Sequence, residues 1–153
     1  MKHFIIDGNN VIGKINSLKR IQERDKQQSR LKLAFLIDNY FQNKNVKVTI
    51  HFDGYANEPI KLNNCKIKYS KNHTADDNIK HQIETSSNPK NITIVTSDNN
   101  LRQFAKVCSC YLQSSEEFAI NLKQKGKDDE ADKIDRMSKD INGFKKLFGV
   151  SED

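Results

Sequence analysis

Short apolar runs closed by an aspartate recur along this chain and alternate with stretches of helical periodicity. Phe4-Ile5-Ile6 leads into Asp7, Val46–Phe52 leads into Asp53, and the β-branched run Asn91–Thr96 leads into Ser97-Asp98. Runs this short, rich in Val, Ile and Phe and bounded by Asp-Gly or Ser-Asp, read as strands followed by turns. Lys2–Asp7 is the first strand. Val46–Phe52, with apolar residues at every second position, is the second. Cys65–Tyr69 is a shorter third, and Asn91–Thr96 is a fourth, buried on both faces. Tyr111–Leu112 is a short last strand.

Helical segments lie between them. Ser29–Asn43 carries Leu31, Phe35, Ile37 and Phe41 at helical intervals, with Ser29 as its expected cap. Val11–Arg24 has mixed character. Thr74 precedes Ala75-Asp76-Asp77, and Ile79 and Ile83 follow, a helix start with carboxylates in the first turn. Ser97-Asp98 opens a helix carrying Leu101, Phe104 and Ala105. Ser114 and Glu117 form a capping box for a helix to about Lys123. Residues 128–148 read as a charged helical tail with Ile134, Met137, Ile141, Phe144 and Phe148 as its apolar stripe.

Strands alternating with helices at this spacing predict a three-layer α/β fold with a mostly parallel central sheet flanked by helices. The 153 residues suit one domain over 1–122, with 123–153 as a charged helical extension packed on it. No apolar stretch is long enough to span a bilayer. Asp7 interrupts any secretory apolar region at the N-terminus, so a soluble, cytoplasmic protein is expected. Cys65, Cys108 and Cys110 are odd in number and match no zinc spacing, which predicts free thiols. There is no G-x-G-x-x-G and no Walker A sequence, so dinucleotide and P-loop sites find no support.

The formal net charge is +6, and all of it lies in residues 1–122, where 18 Lys and Arg face 12 Asp and Glu. Residues 123–153 carry 8 of each. A basic body suggests a polyanion partner; the alternative on charge alone is a Lys-rich solvated surface.

The acids of that body are not scattered. Asp7, Asp53 and Asp98 each follow a strand, and Asp76 and Asp77 open the helix after the third. In a parallel sheet the strand C-termini share one edge, and the ligand crevice lies there. Carboxylates gathered at one edge repel one another unless protonated or bridged by a cation. Mg²⁺ takes oxygen ligands and keeps several waters, and such a site can activate a water and neutralise a phosphodiester. With those five acids set aside, the body has 18 bases against 7 acids: an acidic centre in a basic surround, as a metal-dependent nuclease requires. Singly, each Asp is also an ordinary turn or cap residue. Asn10 can orient a carboxylate or a water, and Ser97 can bond a ligand or cap a helix. Arg20, Arg24, Arg30 and Lys71 are reasonable phosphate contacts. Tyr55 and Tyr69 have faces on which bases can stack, although packing is the commoner fate of such residues.

Four blocks in order carry a resemblance to a known family. They are Asp7-Gly8-Asn9-Asn10-Val11-Ile12, Phe52-Asp53-Gly54, Thr74-Ala75-Asp76-Asp77-Asn78-Ile79 and Val95-Thr96-Ser97-Asp98. The sequence resembles the NYN family, the YacP-like branch of the PIN-like nucleases, over residues 2 to about 115. The resemblance implies a PIN-like, Rossmann-like fold and Mg²⁺- or Mn²⁺-dependent cleavage of RNA. It carries catalytic and metal-binding roles onto Asp7, Asp53, Asp77 and Asp98, with Asn10 and Asp76 in support. Arg30 stands where the bacterial branch often has a basic residue. Asn9 departs from it, because Tyr is common there, and the C-terminal third matches poorly.

The expected function is therefore a metal-dependent endoribonuclease. The alternative is a non-catalytic RNA-binding module with the same fold. A phosphatase or DNA nuclease is a third reading; the missing Asp-x-Asp pair after the first strand counts against the phosphatase branch. The extension at 123–153 either packs on the body or recruits a partner such as the translation machinery.

Overall fold

The computed structural model describes residues 1–147, with side chains through residue 131 and at Ile134 and Met137. Five strands, β1 (Lys2–Asp7), β2 (Val46–Phe52), β3 (Lys66–Tyr69), β4 (Ile92–Val95) and β5 (Tyr111–Gln113), form one parallel sheet in the order β3-β2-β1-β4-β5. The helices are α1 (Gly8–Ile12), α2 (Asn16–Arg24), α3 (Lys26–Tyr40), α4 (Ala75–Glu84), α5 (Asn99–Val107) and α6 (Ser115–Leu147). The expected α/β class is the observed one.

Side-chain alternation along the strands divides the core in two. Ile6, Val48, Ile50, Phe52 and Val95 pack on one face with Val11, Leu18, Leu33, Ile37, Phe41 and Phe118. Ile5, Ile92 and Ile94 pack on the other with Ile79 and Ile83 of α4 and Leu101 and Ala105 of α5. Ile5 and Ile6 are neighbours in sequence and sit in different cores, which is why the β1 run is apolar without interruption.

Several local expectations are corrected. Asp7-Gly8 is not a free turn, since α1 starts directly at Gly8. The mixed segment Val11–Arg24 holds the end of α1 and all of α2. Ser29 does not cap α3. Asp25 does, its carboxylate accepting from the Gln28 amide at 3.1 Å, while Ser29 is buried inside the helix and donates to the Lys26 carbonyl. Asp accepts with a full charge, and it lies one turn nearer the true start. The buried stripe of α3 is Leu33, Ala34 and Ile37; Phe35 faces solvent, because it lies about 100° from Ala34 around the helix.

The Ser114 cap is present, its hydroxyl accepting from the Glu117 amide at 3.1 Å. The helix it opens does not stop near Lys123 but continues to Leu147. The chain forms two compact units, one running Met1–Leu122 and one beginning at Lys123. That boundary falls within α6. In the second unit Ile134 and Met137 are exposed, while the side chains of Ile141, Phe144 and Phe148 lie outside the described residues. The three cysteines are free and half-buried. No helix among the described residues is long and apolar enough to cross a membrane.

Candidate active site

β1 is the central strand. The chain passes from it to β2 on one side and later to β4 on the other, so the topological switch point lies at the C-terminal end of β1, where open α/β sheets form their crevice. Asp7 is the last residue of that strand. It pairs in register with His51, two residues before Asp53, and Ile6 pairs with Val95, one residue before Thr96. Asp7, Asp53 and Thr96 thus meet the same edge of the sheet.

The turn into α1 is unusually close to β2. A Cβ at Gly8 would stand 2.5 Å from the Phe52 ring and 2.8 Å from the His51 carbonyl oxygen. Only glycine lets α1 begin against β2 immediately after Asp7. Asn9 then accepts from the Asp53 amide at 2.8 Å. Asn10 accepts through one oxygen from the Ser97 amide at 3.0 Å and from the Ser115 hydroxyl at 2.6 Å. Two adjacent amides therefore bind the β1 end to the loops after β2 and β4 and to the first residue of α6.

Asp7 is largely buried, and burial pushes its carboxyl up to about 6. Hydrogen bonds from the Thr96 hydroxyl and the Asn10 main chain pull it down, and the charges of Asp53 and Asp76 push it up again. Thr96 is fully buried, and its hydroxyl donates to Asp7 at 3.0 Å. Asp76 bonds Lys80 through one oxygen at 3.1 Å. Its other oxygen, Oδ1, is buried with no hydrogen-bond partner, an arrangement that normally costs a buried acceptor free energy.

The remaining acids stand further out. Asp53 is exposed, and its carboxylate accepts from the Ala75 amide at 2.8 Å, joining the β2 end to the start of α4. Asp77 is exposed beside Asp76, and its amide bonds the Thr74 cap at 3.0 Å. Asp98 is exposed and caps α5 by accepting from the Leu101 amide at 2.9 Å. The acids whose charges raise Asp7 most are Asp53 and Asp76. Lys80 joins the sets, since Asp76, Asp77 and Asp98 all hold its ammonium above the ordinary lysine range, with the Asp76 hydrogen bond foremost.

Of the expected phosphate contacts, Arg20, Arg24 and Lys71 are exposed. Arg30 is only 7% exposed. Its guanidinium donates to the Tyr55 carbonyl at 2.9 Å and to the Asp53 carbonyl, and it lies over the rings of Phe52 and Tyr69. Burial and those carbonyls make it a clamp on the Asp53 loop rather than a surface cation. Tyr69 is part of that packing.

Sequence reasoning passed over Asn9, Thr96, Lys80, Ser115 and Glu116. Glu116 accepts from the Ser97 hydroxyl and pairs with Lys14 at 3.1 Å, and these contacts, Ser97 first, hold its carboxyl down at about 2. Thr96 was legible as a hydroxyl at a strand end next to Ser97-Asp98. Glu116 was not, because its use as a cap-box neighbour hides its reach across to Ser97.

Comparison with known proteins now decides the family. The model of the YacP-like NYN domain matches residues 4–147. The chain belongs to that family. Its fold is similar to that of two crystal structures of Rae1 (YacP) from Bacillus subtilis. One superposes with a TM-score of 0.72 at 19% identity, covering 97% of this chain and 88% of that one. The other, the W164L mutant, gives 0.69 at 20% identity, covering 92% and 83%. No curated protein matches. NYN membership brings a nuclease-type, RNA-related function.

Among the described residues, no group of three or more His, Cys, Asp or Glu side chains is arranged as it stands to hold a metal ion. Mg²⁺ differs from zinc in needing only one or two carboxylates beside its waters. The unpartnered Oδ1 of Asp76 and the mutual repulsion at Asp7 are what a hydrated cation relieves. On donor chemistry these residues fit such an ion.

Proposed function

We propose that this YacP-like NYN protein is a metal-dependent endoribonuclease that hydrolyses RNA phosphodiester bonds at the C-terminal edge of its sheet. The observation that carries the reading is the Asp7 carboxylate. It sits at the switch point, is crowded by Asp53 and Asp76, and is raised to about 6 by burial. Asp7, Asp53 and Asp76 would hold Mg²⁺ or Mn²⁺, with Asp77 and Asp98 flanking them. A divalent ion bound there supplies charge neutralisation and a water of lowered pKa.

The residues of the chain do the rest. Thr96 fixes the orientation of Asp7 through its hydroxyl. Asn9 and Arg30 hold the Asp53 loop by its backbone, Asn9 at the amide and Arg30 at the carbonyl of Asp53. Asn10 locks the loop after β4 in place. Lys80 lies beside three of the acids and keeps positive charge next to the site. The basic surround of residues 1–122 attracts the RNA backbone.

Asp7→Asn should abolish cleavage of a panel of structured RNAs while leaving the circular dichroism spectrum unchanged. Cleavage at the wild-type rate by the purified variant would refute the assignment. A non-catalytic RNA-binding module is the second reading, favoured by the lack of a preassembled metal-ligand group among the described residues. It requires RNA binding with no cleavage at any Mg²⁺ or Mn²⁺ concentration. Matched RNA and DNA substrates separate ribonuclease from deoxyribonuclease action, since only RNA has the 2′-OH.

A further inference from the structure

Beside the acidic edge, three residues after β2 are held with unusual care. Gly54 has φ +86°, a conformation suited to glycine. Its amide donates to the Ser70 hydroxyl at 2.9 Å, and its carbonyl accepts from the Lys71 amide at 2.8 Å. Ser70 is buried, and its own amide reaches the Phe52 carbonyl at 3.0 Å. From the other side Arg30 grips the carbonyls of Asp53 and Tyr55. This anchoring ends in a side chain that makes no core. Tyr55 is 55% exposed, and its phenol donates to Asn72 Oδ1. Lys71, next to Asn72, is also exposed and adopts a left-handed backbone, φ +58°, uncommon for a residue with a side chain.

Two features of Tyr55 set it apart from the other exposed apolar residues. Its ring is pinned at both ends, by Arg30 at its backbone and by Asn72 at its hydroxyl, so little freedom is lost when a ligand settles on it. It also lies two residues from Asp53 and alongside a cation on the neighbouring loop. An exposed aromatic face beside a lysine is how proteins hold unpaired nucleotides, the base on the ring and the phosphate on the ammonium. A base inside a duplex has no free face to offer.

We propose that Tyr55 is a stacking platform for an unpaired base next to the scissile bond, with Lys71 on the adjoining phosphate, so that the site takes single-stranded RNA. This rests on the ribonuclease reading. The test measures binding by full-length Asp7→Asn protein, which does not consume the RNA, to one oligonucleotide as a single strand and as a duplex. The single strand should bind more tightly. Adding Tyr55→Ala should weaken single-strand binding roughly 5- to 150-fold, the range one stacked base supplies, with little effect on the duplex. Tyr55→Phe should recover most of the loss, and Tyr55→Leu, equally apolar but without the ring, should not. A 2-aminopurine scanned along the strand should be quenched at one position in the parent and at none in Tyr55→Ala.

Unchanged affinity in both Tyr55→Ala and Tyr55→Leu would overturn the proposal, as would equal losses for single strand and duplex. If wild-type protein cleaves RNA while either of those results holds, the platform alone falls. If wild-type protein neither cleaves nor binds RNA in either form, the ribonuclease reading falls and takes the platform with it.

Discussion

Asp7 shows how one side chain serves two opposed demands. Burial at the end of β1 favours its neutral form, and two nearby acids favour it further, while Thr96 and Asn10 favour the anion. Its folded-state pKa of about 6 lies above the ordinary 3.8. The stabilising contribution of the neutral acid is therefore complete below about 3.8 and is lost as pH rises through about 6. Without divalent metal, Asp7→Asn should be more stable than wild type at pH 7, by about 1–3 kcal/mol at the conversion of one pKa unit to 1.36 kcal/mol. The difference should vanish near pH 4. Urea unfolding of both proteins at the two pH values checks this, and a destabilised Asp7→Asn at pH 7 contradicts it. Next to Asp7, Gly8 solves a packing problem, since any Cβ there meets the Phe52 ring and the β2 backbone.

At the scale of elements, the ends of strands and the starts of helices share residues. Asp98 ends the β4 loop and caps α5 with one oxygen. Asparagine caps helices as well as aspartate but brings no charge. Asp98→Asn should therefore leave the melting temperature near that of wild type and lower cleavage, whereas Asp98→Ala should lower both, with a stability loss of about 1 kcal/mol. Equal activity in wild type and Asp98→Asn would reduce Asp98 to a cap.

Arg30 makes the corresponding point for α3. It ties that helix to the carbonyls of Asp53 and Tyr55 in the loop after β2. Arg30→Lys keeps the charge but not the planar fork that reaches two carbonyls. It should cost about 1–3 kcal/mol in unfolding free energy, as loss of charged hydrogen bonds does. A surface phosphate contact would show no such loss, so thermal denaturation distinguishes the two roles.

For the whole molecule, the proposed function makes one electrostatic device of the acidic edge and the basic surround. Mg²⁺ or Mn²⁺ binding only the native state should raise the melting temperature in proportion to RT ln(1 + [L]/Kd). Differential scanning calorimetry should show that rise in wild type and its absence in Asp7→Asn. The same shift in both proteins would place the ion elsewhere. Affinity for RNA should fall steeply with added salt as counterions are released.

The primary structure by itself determined the strands, the α/β class and the placing of Asp7, Asp53, Asp76, Asp77 and Asp98 at strand ends or helix starts, because short β-branched runs and capping residues act locally. Asp7-Gly8-Asn9-Asn10 was legible as the end of the first strand and the centre of the candidate site for the same reason. What it left open depends on contacts between distant segments. It did not tell that Asp76 is half-buried while Asp77 is exposed, since a one-residue step on a helix changes direction by about 100°. Nor did it tell that Arg30 is buried or that Tyr55 is pinned and exposed while Tyr69 packs. Those outcomes were decided when β2 and β3 came together and α3 crossed behind them, because burial is a property of the neighbours a side chain acquires, not of its type.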